Sequence, residues 1–131
     1  MQHRQRYDVR DYEPRQDSVT AARRRAAWLA CAWGYPQIAN DAALVTSELT
    51  TNAVLHGSVE DRFVRVELRV KGEALRIGVT DPRGERMPTI RRPGPEDQFG
   101  RGLRIVDALC AEWAVAARVV GKTTWAELPL A

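Results

Sequence analysis

The chain is poor in the residues that would make it a disulfide scaffold, a metal protein or a membrane protein. It has 2 cysteines and 2 histidines among 131 residues. Cys31 and Cys110 stand far apart, without a CxxC partner or a histidine at ligand spacing, so the pattern predicts buried free thiols rather than a disulfide framework or structural zinc. The longest uninterrupted apolar run, Ala26 to Trp33, is far too short to span a bilayer. The opening "MQHRQRYDVRDY" lacks the apolar core of a secretory signal, which predicts a cytoplasmic protein with no membrane partner. Lysine is scarce as well: Lys71 and Lys122 are the only two, and arginine supplies the rest of the 20 basic residues. The net charge of +3 is a modest excess. Without aromatic interleaving or a recognition motif it reads as a solvated surface, and no direct nucleic-acid partner is expected. What is present is ordinary for a soluble globular chain, with 44% hydrophobic and 28% charged residues, and the length predicts a single domain over residues 1–131.

Local patterning predicts the elements in the order βααββαββ. Tyr7 to Tyr12 reads as a short strand. Asp17 or Ser18 is a plausible N-cap for a helix running to about Ala32, with Val19, Ala22, Ala26 and Leu29 on one side and Arg23, Arg24 and Arg25 turned toward solvent or a partner. "WGYP" breaks that helix, and a second starts near Ile38 to Asn40 and runs to about His56, with Gly57 in the usual C-terminal position. In "FVRVELRVK", Val64, Val66, Leu68 and Val70 alternate with Arg65, Glu67, Arg69 and Lys71, giving a strand with one wet face. "GE" turns the chain into a second strand, Ala74 to Asp81, with Leu75, Ile77 and Val79 on its apolar side. The tract "PRGERMPTIRRPGPEDQFGRG" reads as a long loop. A helix over Leu103 to Cys110 and strands over Trp113 to Val120 and Thr123 to Leu130 complete the chain. The fold class is therefore α/β, an α+β two-layer sandwich with a mixed, mainly antiparallel sheet and its helices on one face.

Three places carry candidate chemistry. Glu48, Asn52 and His56 recur every four residues along the margin of the second helix's apolar stripe of Ala42, Val45, Leu49 and Ala53. Polar groups there are partly desolvated and require a hydrogen-bond partner, a metal or a ligand; bonds to neighbouring loops would satisfy them equally well. Strand parity puts Asp81 on the face of Leu75, Ile77 and Val79, where an aspartate is costly unless something donates to it; a nucleobase amino group would, and so would turn capping in "DPRG". Third, "GRGLRIV" opens a helix with two glycines, which allow close backbone approach to a phosphate at a helix N-terminus, or simply form a helix-entry turn. "GKTT" at residues 121 to 124 mimics the end of a P-loop, but Ala116 stands where its first glycine belongs and too little chain follows for the required helix.

Glu48…Asn52…His56, then Asp81 with Gly84, then Gly100-Arg101-Gly102-Leu103, then "GKTTWAEL" together resemble the small bacterial members of the GHKL ATPase superfamily. These are the anti-sigma-factor serine kinases and related stand-alone ATP-binding regulators, and the likeness covers about Tyr7 to Leu130. The resemblance implies a Bergerat-type sheet and ATP and Mg²⁺ as cofactors. It implies that Glu48, Asn52 and His56 floor a nucleotide cleft, with Asn52 on the metal and Glu48 orienting or deprotonating the attacking hydroxyl. Asp81, with Gly84 after it and Thr123 nearby, would meet adenine. Gly100, Arg101, Gly102 and Leu103 would sit against the phosphates, and the proline-rich loop would be the lid, with Arg91 or Arg92 as a lid arginine. As partners it implies a sigma factor and an anti-anti-sigma protein, with a homodimer as an allowed assembly. A nucleotide-gated binding module without phosphotransfer is the other function it admits. The chain departs from the pattern at its first glycine box, where "DPRGERMP" delays one glycine and omits the next, and at Phe99, where a small residue is more usual.

Overall fold

The computed structural model describes residues 6–56, 62–81, 100–117 and 121–131. Its elements are β1 (Tyr7–Tyr12), α1 (Gln16–Ala32), a single 3₁₀ turn (Pro36–Ile38), α2 (Ala39–His56), β2 (Val64–Lys71), β3 (Ala74–Asp81), α3 (Gly100–Leu109), β4 (Glu112–Ala117) and β5 (Lys122–Pro129). The predicted order βααββαββ is the observed one. The strands form one sheet in the order β1-β2-β3-β5-β4. Every pairing among the described residues is antiparallel, where a mixed sheet was expected. The reason is topological: β5 inserts between β3 and β4, so the two strands joined through α3 run the same way without ever pairing.

Strand parity sorts the sheet into two unlike faces. Val64, Val66 and Leu68 of β2, Leu75, Ile77 and Val79 of β3, and Ala126 and Leu128 of β5 are buried, and they join Val45, Leu49, Leu29 and Val106 of the helices in one core. α1 packs along α2. Ala22, Ala26 and Ala30, one turn apart and all buried, give α1 a smooth face for that approach. Fully burying side chains such as Leu49 and Ile77 contributes about 1.5–3 kcal/mol each, which is why this layer is the main source of stability. On the other face Arg65, Arg69 and Lys71 are exposed, and no described helix covers them. No described helix is long and apolar enough to cross a membrane.

Several local expectations need correction. α1 starts at Gln16, ahead of both proposed caps: Arg15 is its N-cap and makes no side-chain cap bond. Asp17 instead lies in the first turn, where it suits the helix dipole, and accepts from Arg15 Nη2 at 2.8 Å. α3 begins at Gly100, not Leu103, because buried Leu103 and Val106 dock the segment firmly enough to carry two glycines into its first turn. β4 begins at Glu112 and β5 at Lys122, one residue earlier than read in each case. Cys31 is exposed rather than buried, whereas Cys110 is half-buried and its thiol is pushed up to about 12, chiefly by burial, which leaves it protonated and inert.

Arg25 also departs from the expectation of a solvent-facing arginine. It reaches β1, where its Nε and Nη2 donate to Asp8 at 2.8 and 2.6 Å, a forked pair with 27% and 15% of the two side chains exposed. This pair ties the edge strand to α1, and the hydrogen bonds that Arg25 donates to Asp8 hold the guanidinium pKa above its ordinary value. Asp8→Ala is expected to cost about 1.5–3 kcal/mol, the range for charge-assisted hydrogen bonds that lose one partner. Urea unfolding checks this; an unchanged midpoint would mean that the fork contributes nothing net.

Candidate functional site

α2 carries the polar line at the edge of its buried stripe. Val45, Leu49 and Ala53 are almost fully buried, while Glu48 and Asn52 are half-buried beside them. Neither Glu48 nor Asn52 makes a hydrogen bond or ion pair among the described residues. Loop contacts within that described set therefore do not account for this margin. Burial raises the Glu48 carboxyl pKa above its ordinary value. His56 ends the helix, and its side chain lies outside the described residues, as does Gly57.

Asp81 closes β3 on the helix-facing side and is 3% exposed. One cation that reaches it belongs to a residue not singled out from the sequence: Lys122 opens β5 directly across the ladder, with Nζ 3.3 Å from Asp81 Oδ2. The signal was available, since Lys122 is one of only two lysines and strand parity from Leu128 and Ala126 back to Thr124 and Lys122 aims it inward. The same parity separates the two threonines. Thr124 is paired with Val79 and shares the face of Asp81. Thr123, expected near adenine, lies on the opposite face, where its Oγ1 is 2.7 Å from Thr80 Oγ1 and its methyl group lies beside Gly78. The P-loop reading of "GKTT" is excluded, because this stretch enters a strand.

The second glycine box lies at the start of α3: Gly100, Arg101 and Gly102 form its first turn, and Leu103 is buried under it. The amides of such a turn have no intrahelical partner and face whatever lies beyond the helix end. α3 is oriented from its other end by Trp113 of β4, whose Nε1 donates to Asp107 at 2.9 Å. α2 packs against both β3, which ends in Asp81, and α3, which starts with the glycines. The helix with the polar line thus touches the two elements that hold the other candidate groups. Gly84, Arg91, Arg92, Phe99 and the rest of the expected lid lie outside the described residues.

Residues 12–128 match the family model of the histidine kinase-like ATPase domain. The chain belongs to this family. Its members are ATP-binding domains, so ATP binding comes with membership. The fold is similar to that of the RsbU and RsbW domains of Rv1364c from Mycobacterium tuberculosis, with a TM-score of 0.71 at 20% identity over 94% of this chain. It is also similar to the histidine kinase domain of a blue-light activated histidine kinase from Erythrobacter litoralis, with a TM-score of 0.54 at 29% identity over 72% of this chain. The chain spans 32% and 46% of the length of those two structures. No curated protein matches it in sequence.

The residues present fit the nucleotide that the family implies. A buried carboxylate accepts from a base amino group, a helix N-terminus offers amides to phosphate, and two half-buried polar side chains have no described partner. A magnesium ion fits too, because it takes few protein ligands when phosphates supply the rest, and no cluster of three acidic, cysteine or histidine residues is needed or found among the described residues.

Glu48 yields a test that needs no ligand. A carboxyl whose folded pKa is raised favours the fold fully below its unfolded pKa, and that contribution is lost as pH rises through the folded value. Glu48→Gln removes the desolvated charge, so the variant is expected to be more stable than the parent at pH 7, with the gap closing as pH falls to about 4. Thermal melts across this range check the sign; a gap that widens on acidification would contradict it.

Proposed function

We propose that this chain is a single-domain, cytoplasmic Mg-ATP-dependent protein kinase of the anti-sigma-factor type, which binds a sigma factor and phosphorylates a serine of an antagonist protein. The observation that carries the proposal is the inward carboxylate of Asp81 at the end of a strand that packs against the helix bearing Glu48 and Asn52. Family membership supports the nucleotide, and the likeness to a structure containing an RsbW domain supports the fold on which the rest is argued.

In this reading Asp81 selects the base by accepting from its amino group. Lys122 stays beside the carboxylate, so the base shares Asp81 with an ammonium group. Asn52 holds the metal through its amide oxygen. Gly100 to Gly102 present backbone amides to the phosphates. Bound Mg-ATP supplies the transferable γ-phosphoryl group and the charge neutralisation that such transfer needs. Glu48 orients the serine hydroxyl and takes its proton as the new O–P bond forms, with ADP as the leaving group. Its raised pKa makes Glu48 a stronger base than an exposed glutamate. Arg23 and Arg24 of α1, both exposed, are the basic surface offered to a partner; Arg25 is excluded from it by its bond to Asp8.

Asp81→Asn is expected to remove most ATP binding, because an amide presents its own donors to the amino group of the base and leaves a buried bond unmade. Calorimetry on the folded variant reads this, and unchanged affinity would remove Asp81 from the base pocket. Glu48→Ala is expected to keep ATP affinity within about threefold while phosphotransfer to candidate antagonist proteins falls by about 100-fold or more, the usual scale for a general base. Equal transfer rates for variant and parent would exclude Glu48 from the chemistry. ATP binding without transfer by the parent would leave a nucleotide-gated binding module, the reading favoured by the altered first glycine box.

A further inference from the structure

The face of the sheet turned away from the helices holds a cavity of about 540 Å³ that the nucleotide reading does not use. Its position follows from cross-strand register. In one row Glu67, Gly78 and Trp125 stand side by side on β2, β3 and β5; in the next row Arg69 is paired with Arg76. Gly78 has no side chain, so the sheet is lowest there, and Trp125 and the arginines rise around it.

The lining is polarised. Arg6, Arg69, Lys71 and Arg76 contribute positive charge and Glu67 alone is negative. Glu67 is engaged, accepting from Tyr7 Oη at 2.6 Å, an interaction that also raises the Tyr7 pKa. Arg76 donates to Glu127 at 2.9 Å and lies 4.1 Å over the Trp125 ring, so its plane is held in place. Arg69, directly across from it, makes no hydrogen bond or ion pair among the described residues. Directly paired residues on adjacent strands have Cβ atoms about 5 Å apart, which lets Arg69 and Arg76 grip a single carboxylate between them.

We propose that this groove, floored by Gly78 and rimmed by Arg69, Arg76 and Trp125, docks an acidic, extended segment of a partner protein. Alternate side chains of an extended segment point the same way at about 6.6 Å intervals, so one acidic side chain meets the arginine pair while its neighbour two residues on reaches the edge of Trp125 or the stem of Lys71. A second copy of this chain is the wrong occupant, because two such faces brought together would oppose like charges. Nucleic acid is a poorer fit, because Arg76 already lies over the Trp125 ring and takes the plane on which a base would stack. The proposal does not depend on the nucleotide site.

The probe is a fluorescein-labelled peptide of alternating glutamate and leucine, titrated by fluorescence anisotropy at low and moderate salt with the full chain. The parent is expected to bind, more weakly as salt rises. Arg69→Glu with Arg76→Glu should lose roughly tenfold or more, the scale of one charge-assisted bond. Arg10→Glu with Arg62→Glu makes the same change in net charge at exposed arginines away from the groove and should stay within about twofold. Gly78→Leu fills the floor without changing charge and should also lose binding; an added Cβ meets only the Thr123 methyl, at 3.6 Å. Arg69→Ser, which breaks no described bond, decides the matter if loss of the Glu127 contact disturbs the double variant. Circular dichroism confirms folding throughout. Four results would each overturn the proposal: no peptide binding by the parent, equal loss in the Arg10/Arg62 control, tighter binding of oligothymidine lost in the same groove variants, or a parent dimer that those variants dissolve in sedimentation equilibrium.

Discussion

The alternation of β3 is the constraint on which both sides of the molecule depend. Leu75, Ile77 and Val79 must face the helices to complete the core, and the two-residue period then leaves Asp81 no choice but to point inward. The same period turns Arg76 and Gly78 to the open face, where they shape the groove. A one-residue slip would expose the core, bury Arg76 and carry Asp81 out of reach of the helix layer. Register here is therefore specified by hydrophobic burial, and the polar sites inherit their positions from it at no separate cost.

How much of this could be read from the sequence depended on whether one pattern or a balance of contacts set the outcome. The strands of the hairpin from Val64 to Asp81 were legible because alternation is local and unambiguous. α2 was legible for a similar reason, with its apolar stripe and its polar margin separated by helical period. The start of α3 was not, since two glycines argue against helix locally and only the docking of Leu103 and Val106 overrules them. Arg25 looked like its exposed neighbours because its partner, Asp8, is brought near it by tertiary packing alone. Thr123 was assigned by likeness of motif. Counting parity from the buried Leu128 puts Thr124 rather than Thr123 on the face of Asp81 and brings Lys122 beside that carboxylate.

Electrostatics sets the candidate site against the stability of the fold. Glu48 sits where burial disfavours its charge and no described group compensates it, a placement that lowers stability at neutral pH while making the carboxylate more basic. On the opposite margin of α2, the buried hydroxyls of Thr46 and Thr50 also find no partner among the described residues. The apolar layer below has to offset these penalties. The alanine face of α1 allows it to do so, because close helix packing buries the shared surface without bulky side chains between the backbones.

The choice between the two basic residue types completes the picture. Arginine makes the structural clasps: Arg25 forks onto Asp8, Arg65 onto Asp11, and Arg76 joins Glu127 while stacking on Trp125. A planar guanidinium holds a carboxylate through two fixed bonds and keeps its charge at any physiological pH, which suits a joint that must not open. At Asp81 the partner is lysine, a single point charge on a flexible stem. An arginine fork there would occupy both carboxylate oxygens in one fixed plane. Lysine reaches the buried aspartate at Oδ2 with a compact ammonium group on a flexible stem. A chain with only two lysines among 20 basic residues has placed one of them at the single buried carboxylate described, where burial makes a compensating cation necessary.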